Sequence, residues 1–525
     1  MSAHSLHNLA FVFLAAAVFT ALGCAGEPQP VDLKAVWQAG EVTRYDIVVD
    51  DGSVVGAAAW EMKREDEHWV MLRVDGHGKA SGEMVLDDNL RPIRGWREQG
   101  GLRAEAVYKP EEVLITRIGA DGKKKNETLA RPAGAMDNEQ GLQTFRCLPL
   151  ATGFRANYTN ISAAGGTIPF SVVVVGEETV SVPAGSFETW HANLEFGAVR
   201  HQVWYGKQAP HLLVKYKNPT AGKTFVLRSW REKKDGPDHG TVEAPPIPAP
   251  GSQPISWTFA AIMGLVQLPL MSLFPIVLGF FLVRKLKVSW KLWIAGAVAF
   301  IASQVVHLPL NWAIGLMGAP RGAGLLPLPY MAVVAGLSAG VCEEVARYVA
   351  LSVALRKIRH SWNEAVQFGA GHGGIEAMIL GALVGINLVV MIVLKSYPTS
   401  LGLEGEALNQ TLAASDAFWR GAWHAPLAGG VERVVAIGAH IGMSVLVMRA
   451  IACRKLAYLF AAILAHTVLD AVAVVSAALL GIWSTELLVA VCAAVLLAIA
   501  FGLRKASWPE NALDEALEQA KVTNR

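Results

Sequence analysis

The stretch AGVCEEVARYVAL, from Ala339 to Leu351, lies inside a long apolar run typical of a membrane span. It places Glu343, Glu344 and Arg347 at bilayer depth. An ionisable group there costs about 3 kcal/mol or more, so membrane chains keep such groups mainly for chemistry, transport or pairing. The stretch therefore predicts a functional site inside the membrane.

The composition of the whole chain agrees with a membrane protein. Hydrophobic residues make up 53% of the 525 residues, which is too many for a wholly soluble chain. The net charge is +2 and no basic tract is interleaved with aromatic residues, so nucleic acid is not predicted as a partner. The five cysteines have no C-x-x-C spacing, and neither a disulfide framework nor a thiolate zinc site is predicted.

The first 24 residues are interpreted as a signal segment with lipoprotein-like features. The apolar run from Leu9 to Leu22 is shorter than a span of about 20 residues and is typical of a signal sequence. The run ALGC ending at Cys24 resembles a lipoprotein cleavage site, although Ala21 stands where Leu is usual. Both a lipidated and a free Cys24 stay open.

An exported all-β domain is predicted over residues 25–233, because short alternating segments are separated there by Gly, Asp and Pro turns. Over about residues 165–230 it resembles a β-rich domain of bacterial exported proteins whose function is not characterised. We assign Trp190 and Trp204 on these strands to packing. Residues 234–255 are rich in Pro and Gly and predict a linker.

Residues 256–505 predict an α-helical membrane bundle, and residues 506–525 a cytoplasmic tail. Seven spans are expected near residues 257–282, 292–315, 327–354, 364–394, 427–448, 456–480 and 484–503. Lys and Arg cluster in alternate connections, and the positive-inside rule puts those connections in the cytoplasm. We therefore expect a multi-pass protein of the bacterial inner membrane, surrounded by lipid, with an extracytoplasmic N-terminal domain.

Polar residues on four spans fall at one depth. Counted from the cytoplasmic charge clusters, all lie roughly 13–20 Å into the membrane; they are Glu343, His372, His440 and His466. Interhelical hydrogen bonding, at about 0.6 kcal/mol per bond, would explain one such histidine. Three histidines and a Glu-Glu pair in one layer indicate a functional site instead.

Residues on shared helix faces provide candidate partners for this layer. Spacings of three or four residues pair Glu343 and Glu344 with Arg347, His372 with Glu376, and His466 with Asp470. Five glycines, Gly340, Gly369, Gly371, Gly373 and Gly374, allow the third and fourth spans to approach their neighbours closely.

The motif residues resemble a known superfamily. EEVAR, FGAGH and HTVLD resemble the Glu-Glu-x-x-x-Arg, Phe-x-x-x-His and His-x-x-x-Asn/Asp motifs of the CAAX-processing and bacteriocin-processing membrane proteases. The fuller pattern GVCEEVARY, SWNEAVQFGAGHGGIEA and ERVVAIGAHIGMSVLV closely resembles the YhfC branch, over about residues 257–503. EEVAR departs from the general motif, since its Arg follows the second Glu by three residues and not four.

The resemblance implies an intramembrane endopeptidase that acts on a peptide or membrane-protein substrate. In one arrangement His372, His440 and His466 hold a divalent metal, with zinc as the candidate, and Glu343 is the general base. In the other, Glu343 and His372 activate water directly, while His466 and Asp470 bind the oxyanion. The naming of YhfC proteins as metalloproteases favours the first.

Further residues complete the predicted site. Glu344 is grouped with the catalytic residues, Arg347 is expected to neutralise it, and Phe368 belongs to the FGAGH motif. Arg433 on the fifth span is expected to pair with Glu376 on the fourth and not with the adjacent Glu432, because neighbours on a helix point about 100° apart.

Two other classes of protein stay open. One is a non-catalytic scaffold or chaperone like the Aph subunit of gamma-secretase, which belongs to the same superfamily. The other is a proton-coupled transporter that uses the buried Glu and His residues as a relay. The joint presence of all four layer residues argues against a decayed scaffold. A transporter is disfavoured because the sequence shows no inverted repeat and no matching pair of broken spans.

Overall fold

The computed structural model describes residues 33–505 and 508, apart from gaps at 51, 77, 100–101, 120–121, 163–165, 197–198, 220, 319–321, 327, 359 and 400–401. The predicted signal segment, the lipidation of Cys24 and the predicted tail (save Trp508) lie outside the described residues. The strands form one compact unit and the long helices form another, and each is described by itself.

The strands of the first unit belong to one sheet that folds mainly as an antiparallel meander. They are β1 Glu41–Val48, β2 Val54–Glu65, β3 His68–Asp75, β4 Ala80–Leu86, β5 Pro92–Gln99, β6 Leu102–Tyr108, β7 Glu112–Ile118, β8 Lys124–Ala130, β9 Met136–Asp137, β10 Arg155–Ser162, β11 Gly166–Val182, β12 Gly185–Phe196, β13 Val199–Gly206, β14 Leu213–Asn218, β15 Lys223–Arg231 and β16 His239–Gly240. Their order is β8-β7-β6-β5-β4-β3-β2-β1-β15-β14-β13-β12-β11-β10-β9, with β16 beside β15. β16 lies in the predicted linker, so part of that segment belongs to the sheet.

Alternation along these strands builds the core of the β unit. Inward-facing aromatic residues such as Tyr45, Trp60 and Phe170 pack into one cluster, as period-2 patterning requires. The helical turn Gly141–Thr144 is followed by Arg146. The Arg146 guanidinium forms a fully buried ion pair with Glu41 of β1 (Nη1–Oε1 2.7 Å). Trp190 and Trp204 pack against core residues, as predicted.

The second unit contains seven helices, counted among the described residues, that are long and apolar enough to cross a membrane. They are the first span Trp257–Leu286, the second Trp290–Ala313, the third Leu328–Ala354, the fourth Trp362–Ser396, the fifth Ala425–Ala452, the sixth Ala457–Leu479 and the seventh Ile482–Arg504. A shorter helix, Gly405–Trp419, lies between the fourth and fifth spans. The predicted all-β unit followed by a seven-span bundle is confirmed.

Two spans depart from a continuous α-helix. The first consists of α-helix Trp257–Ile262, a π-helical turn Met263–Gln267, and α-helices Leu268–Ser272 and Phe274–Leu286. Pro269 and Pro275 lie at the starts of the last two segments, where a missing N–H costs little. The third span is α-helical over Leu328–Val349 and ends in a π-helical turn, Ala350–Ala354.

Glycines set the distances between the spans that carry the polar residues. The second and fourth spans are in backbone contact, since a Cβ at Gly296 would lie 2.0 Å from the Phe368 carbonyl oxygen and one at Gly371 1.9 Å from the Trp293 carbonyl oxygen. A Cβ at Gly373 would lie 2.8 Å from the His440 ring, so the fourth span also packs closely against this side chain of the fifth. These contacts bring polar side chains on different helices within hydrogen-bond reach.

Candidate active site

The third to sixth spans bring the predicted layer together. The His372 and His440 ring centroids are 5.4 Å apart, and those of His440 and His466 are 5.7 Å apart. Glu343 and the three histidines are each at most 5% exposed. Phe368, one turn before His372, is fully buried in the core of the bundle and contributes no polar group. One carboxylate and three imidazoles therefore share a buried site.

Glu343 is at the centre of this site. Its Oε2 lies 3.1 Å from His372 Nε2, 3.6 Å from Arg347 Nη2 and 4.0 Å from His466 Nε2. Its Oε1 accepts a hydrogen bond from Gln304 Nε2 at 3.3 Å. The two carboxylate oxygens therefore have different partners.

Glu344 has a different environment, although it is the next residue. It accepts a hydrogen bond from the Arg347 guanidinium and contacts His466 Nδ1 at 2.9 Å from Oε1. Its side chain is fully buried and does not border the cavity described below. The expected pairing with Arg347 is present, and it holds Glu344 between the third and sixth spans.

The fifth span contributes His440, whose two ring nitrogens have different partners. Arg347 Nη2 is 2.6 Å from Nδ1, and Glu376 Oε2 is 2.6 Å from Nε2. The expectation that Glu376 orients His372, one turn away on its own helix, was wrong, because its carboxylate reaches across to His440 on the neighbouring span. His466, in contrast, has Asp470 Oδ2 3.7 Å from its Nε2, as its spacing predicts.

The predicted contact between Glu376 and Arg433 is present. Arg433 Nη1 lies 3.0 Å from Glu376 Oε1. The guanidinium also contacts Glu432, so the prediction that this neighbour could not reach it was wrong. Adjacent Cβ atoms do point apart on a helix, but both side chains are long enough to fold back over its surface.

Four polar residues next to Glu343 were missed by the sequence interpretation. Gln304, His307 and Asn311 lie along one face of the second span, and Ser338 faces them from the third. Their spacing of three and four residues in the run SQVVHLPLN was a readable signal. This spacing was not used in the prediction, because none of the four side chains carries a formal charge and the predicted site was built from charged groups and the other histidines.

A cavity of about 570 Å³ opens beside this layer. Its polar wall includes Glu343, His440 and His466, together with Glu376, Arg433 and Asp470, and its apolar wall includes Ile301, Leu308, Ile379 and Leu383. On every span these residues lie on one side of the histidine layer, toward the helix ends at which the first span begins. The cavity therefore gives access to the layer from that side.

The donor set fits a metal ion. Glu343, His372 and His440 each offer a ligand atom within 4.8 Å of the others. His372 Nδ1 is buried and has no hydrogen-bond partner among the described residues, so its lone pair is available. His466, predicted as a ligand, lies outside this group of mutually close ligand atoms. Two imidazoles and a carboxylate are a ligand set that zinc accepts.

Comparison with known families identifies the helical unit. Residues 270–493 match the YhfC intramembrane metalloprotease family, and the match includes every motif in the layer. The helical unit is a YhfC-family domain. This domain is 29% identical over 220 residues to an uncharacterized membrane protein, YhfC, of Bacillus subtilis. That alignment covers 41% of this chain and 83% of the relative.

The β unit that precedes the YhfC domain has its own matches. Residues 42–225 match a family described as a protein of unknown function, DUF3108. Two solved structures each align with 38% of this chain and with 98% of their own chain. One is a Bacteroides fragilis protein with a YmcC-like fold, at 12% sequence identity. The other is a Parabacteroides distasonis protein described as a lipoprotein, at 9% sequence identity. Both have a TM-score of 0.17, so nothing further follows from them.

Proposed function

We propose that this chain is an intramembrane endopeptidase and that Glu343 is its general base. The observation that carries the proposal is the placement of this carboxylate, which is buried, borders the cavity and has a separate partner for each oxygen. A general base must lie within hydrogen-bond reach of the water it deprotonates, and a cavity wall meets that requirement. Glu344 has no access to the cavity and holds the third and sixth spans together.

Peptide hydrolysis forms a C–O bond to water and breaks the C–N bond. Glu343 Oε2 takes the proton of the attacking water, and that proton then passes to the leaving nitrogen, which restores the carboxylate. His466 borders the cavity, and its Nε2 lies 4.0 Å from the same oxygen. Because the Glu344 carboxylate can only accept, His466 Nδ1 carries a proton, so the doubly protonated ring would also donate from Nε2 to the developing oxyanion. The Asp470 carboxylate lies 3.7 Å from His466 Nε2 and orients the imidazole.

The family name implies a divalent metal, and His372 and His440, which lie in one group with Glu343, would hold it, so that Glu343 Oε2 stays available as the base. When bound, such an ion polarises a carbonyl oxygen and lowers the pKa of its water. Arg347 contacts His440 Nδ1 and Glu376 Oε2 lies 2.6 Å from His440 Nε2, so Nε2 would bind the ion only after the Glu376 carboxylate moves away from it. Zinc content of the purified protein tests the assignment. We expect His372→Ala and His440→Ala to lower it, and His424→Ala, outside the site, to leave it unchanged.

The shape of the cavity supports a membrane-embedded peptide as substrate. Beyond the polar layer its wall is aliphatic, and Ile301, Leu308 and Leu383 are each about half exposed there. Apolar walls with a few convergent polar groups bind an apolar segment and fix the orientation of one bond in it. With the charge-based orientation, the segment enters from the extracytoplasmic half of the membrane.

No specific observation favours the two alternatives. A scaffold of the Aph type does not require a carboxylate that borders a cavity, as Glu343 does here.

A reconstituted assay tests the proposal. Purified full-length protein in lipid, supplied with Zn²⁺, is incubated with a library of quenched fluorogenic peptides that have apolar cores. We expect Glu343→Gln, which keeps the shape of the side chain, to lower turnover by about a hundredfold or more. Glu404→Gln changes an exposed carboxylate outside the bundle and is the matched control. Equal turnover by the wild type and Glu343→Gln would remove Glu343 from the mechanism.

A further inference from the structure

The second span carries a row of neutral polar side chains that ends at Glu343. Gln304 Nε2 is 3.3 Å from Glu343 Oε1, and Gln304 Oε1 is 3.1 Å from His307 Nδ1. His307 Nε2 is 2.9 Å from Asn311 Nδ2, and Asn311 Oδ1 is 2.6 Å from the Ser338 hydroxyl. Four consecutive hydrogen bonds thus connect Ser338 in the third span, through the second span, to the candidate base on the third span.

The direction of these bonds is fixed at Ser303. Its hydroxyl lies 2.6 Å from the Phe300 carbonyl oxygen, which can only accept, so the hydroxyl proton is committed there. The same Ser303 Oγ is 3.2 Å from the Gln304 side chain and must accept from it. The Gln304 amide therefore directs its nitrogen toward Ser303 and Glu343, and its oxygen toward His307.

The remaining bonds follow from that orientation. Because Gln304 Oε1 can only accept, His307 Nδ1 must carry a proton and donate. In a neutral imidazole Nε2 then accepts, so Asn311 donates through Nδ2 and its oxygen accepts from Ser338. Every bond in the row points toward Glu343.

We propose that Gln304, His307 and Asn311 form a one-directional hydrogen-bond chain that positions Glu343 through Oε1 and leaves Oε2 to meet water. The catalytic part of this inference rests on the proposed function. Oε2 is the oxygen that faces His372 and His466. The three residues are positioning residues, since they act on Glu343 and His307 acts only through Gln304. The chain orients the base because each of its members is neutral and has a single donor direction.

The tautomer of His307 tests the chain without any need for turnover. Full-length protein labelled with ¹⁵N-histidine is reconstituted in lipid and studied by solid-state NMR, and the His307 signals are assigned from the difference spectrum with His307→Gln. We expect a neutral ring protonated at Nδ1. A ring protonated at Nε2, or a doubly protonated ring, would overturn the chain.

Steady-state kinetics test the positioning role. Loss of a residue that orients a reacting group costs about 10–100-fold in activity at comparable sites. We expect His307→Ala to lower kcat about tenfold with KM within about twofold of the wild type, and Asn311→Leu, of similar volume, to do the same. His424→Ala is the histidine control and should change neither. Unchanged kcat in both chain variants would overturn the role. An inactive wild type would overturn the proposed function, while the NMR result would still decide the chain.

Discussion

At the scale of single residues, two adjacent glutamates have different environments. Side chains at 343 and 344 leave the third span about 100° apart, so one reaches the cavity and the other reaches the sixth span. Arg347, four residues from the first and three from the second, contacts both. The sequence predicted the group. It could not separate the two roles, because the rotation of a helix relative to its neighbours is a property of the packed bundle.

The contact of Glu376 with Arg433 and His440 gives a prediction at this scale. The carboxylate joins the fourth and fifth spans by two contacts, so removal of one partner changes what the other contributes. We expect Glu376→Gln and Arg433→Gln to destabilise the protein individually and the double variant to lose less than their sum. The coupling should be about 0.5–3 kcal/mol, measured by denaturant unfolding of the three variants in detergent. Additive losses would mean that the pair contributes nothing.

At the scale of elements, hydropathy located all seven spans to within a few residues at each end. This was possible because a helix that crosses hydrocarbon must be continuously apolar over about 20 residues. The polar row on the second span was not predicted. Neutral polar side chains have a lower free-energy cost in the membrane than charged ones and change a hydropathy pattern little. The histidine partner of Glu376 was mistaken, because helix periodicity describes one helix and not the face of the next, whereas its predicted contact with Arg433 is present.

Contacts between elements predict the effect of two glycine substitutions. A Cβ at Gly296 would lie 2.0 Å from a carbonyl oxygen of the fourth span, so Gly296→Ala must push the second and fourth spans apart. We expect a loss of roughly 1–3 kcal/mol, as for overpacked cores, together with lower activity. Gly502→Ala in the seventh span would place its Cβ where no atom lies within 4 Å, and should be neutral or slightly stabilising. Thermal unfolding in detergent compares the two, and equal midpoints would contradict the close packing.

At the scale of the whole molecule, the orientation in the membrane is still a prediction. It depends on the alternation of Lys and Arg clusters between successive connections. We expect a cysteine at Ser252, before the first span, to be labelled by an impermeant reagent in intact cells, and one at Lys357, after the third, to be labelled only after lysis. The native cysteines are removed beforehand. The reverse pattern would invert the map and would place the cavity on the cytoplasmic side.

If Glu343 is the base for proteolysis inside the membrane, new protein N-termini should form in membranes, and mass spectrometry can identify them. Cells producing the wild type, Glu343→Gln or the Glu404→Gln control at matched levels are compared. We expect a set of N-termini within or beside apolar segments that is present with the wild type and the control and absent with Glu343→Gln. The same set in all three would contradict it.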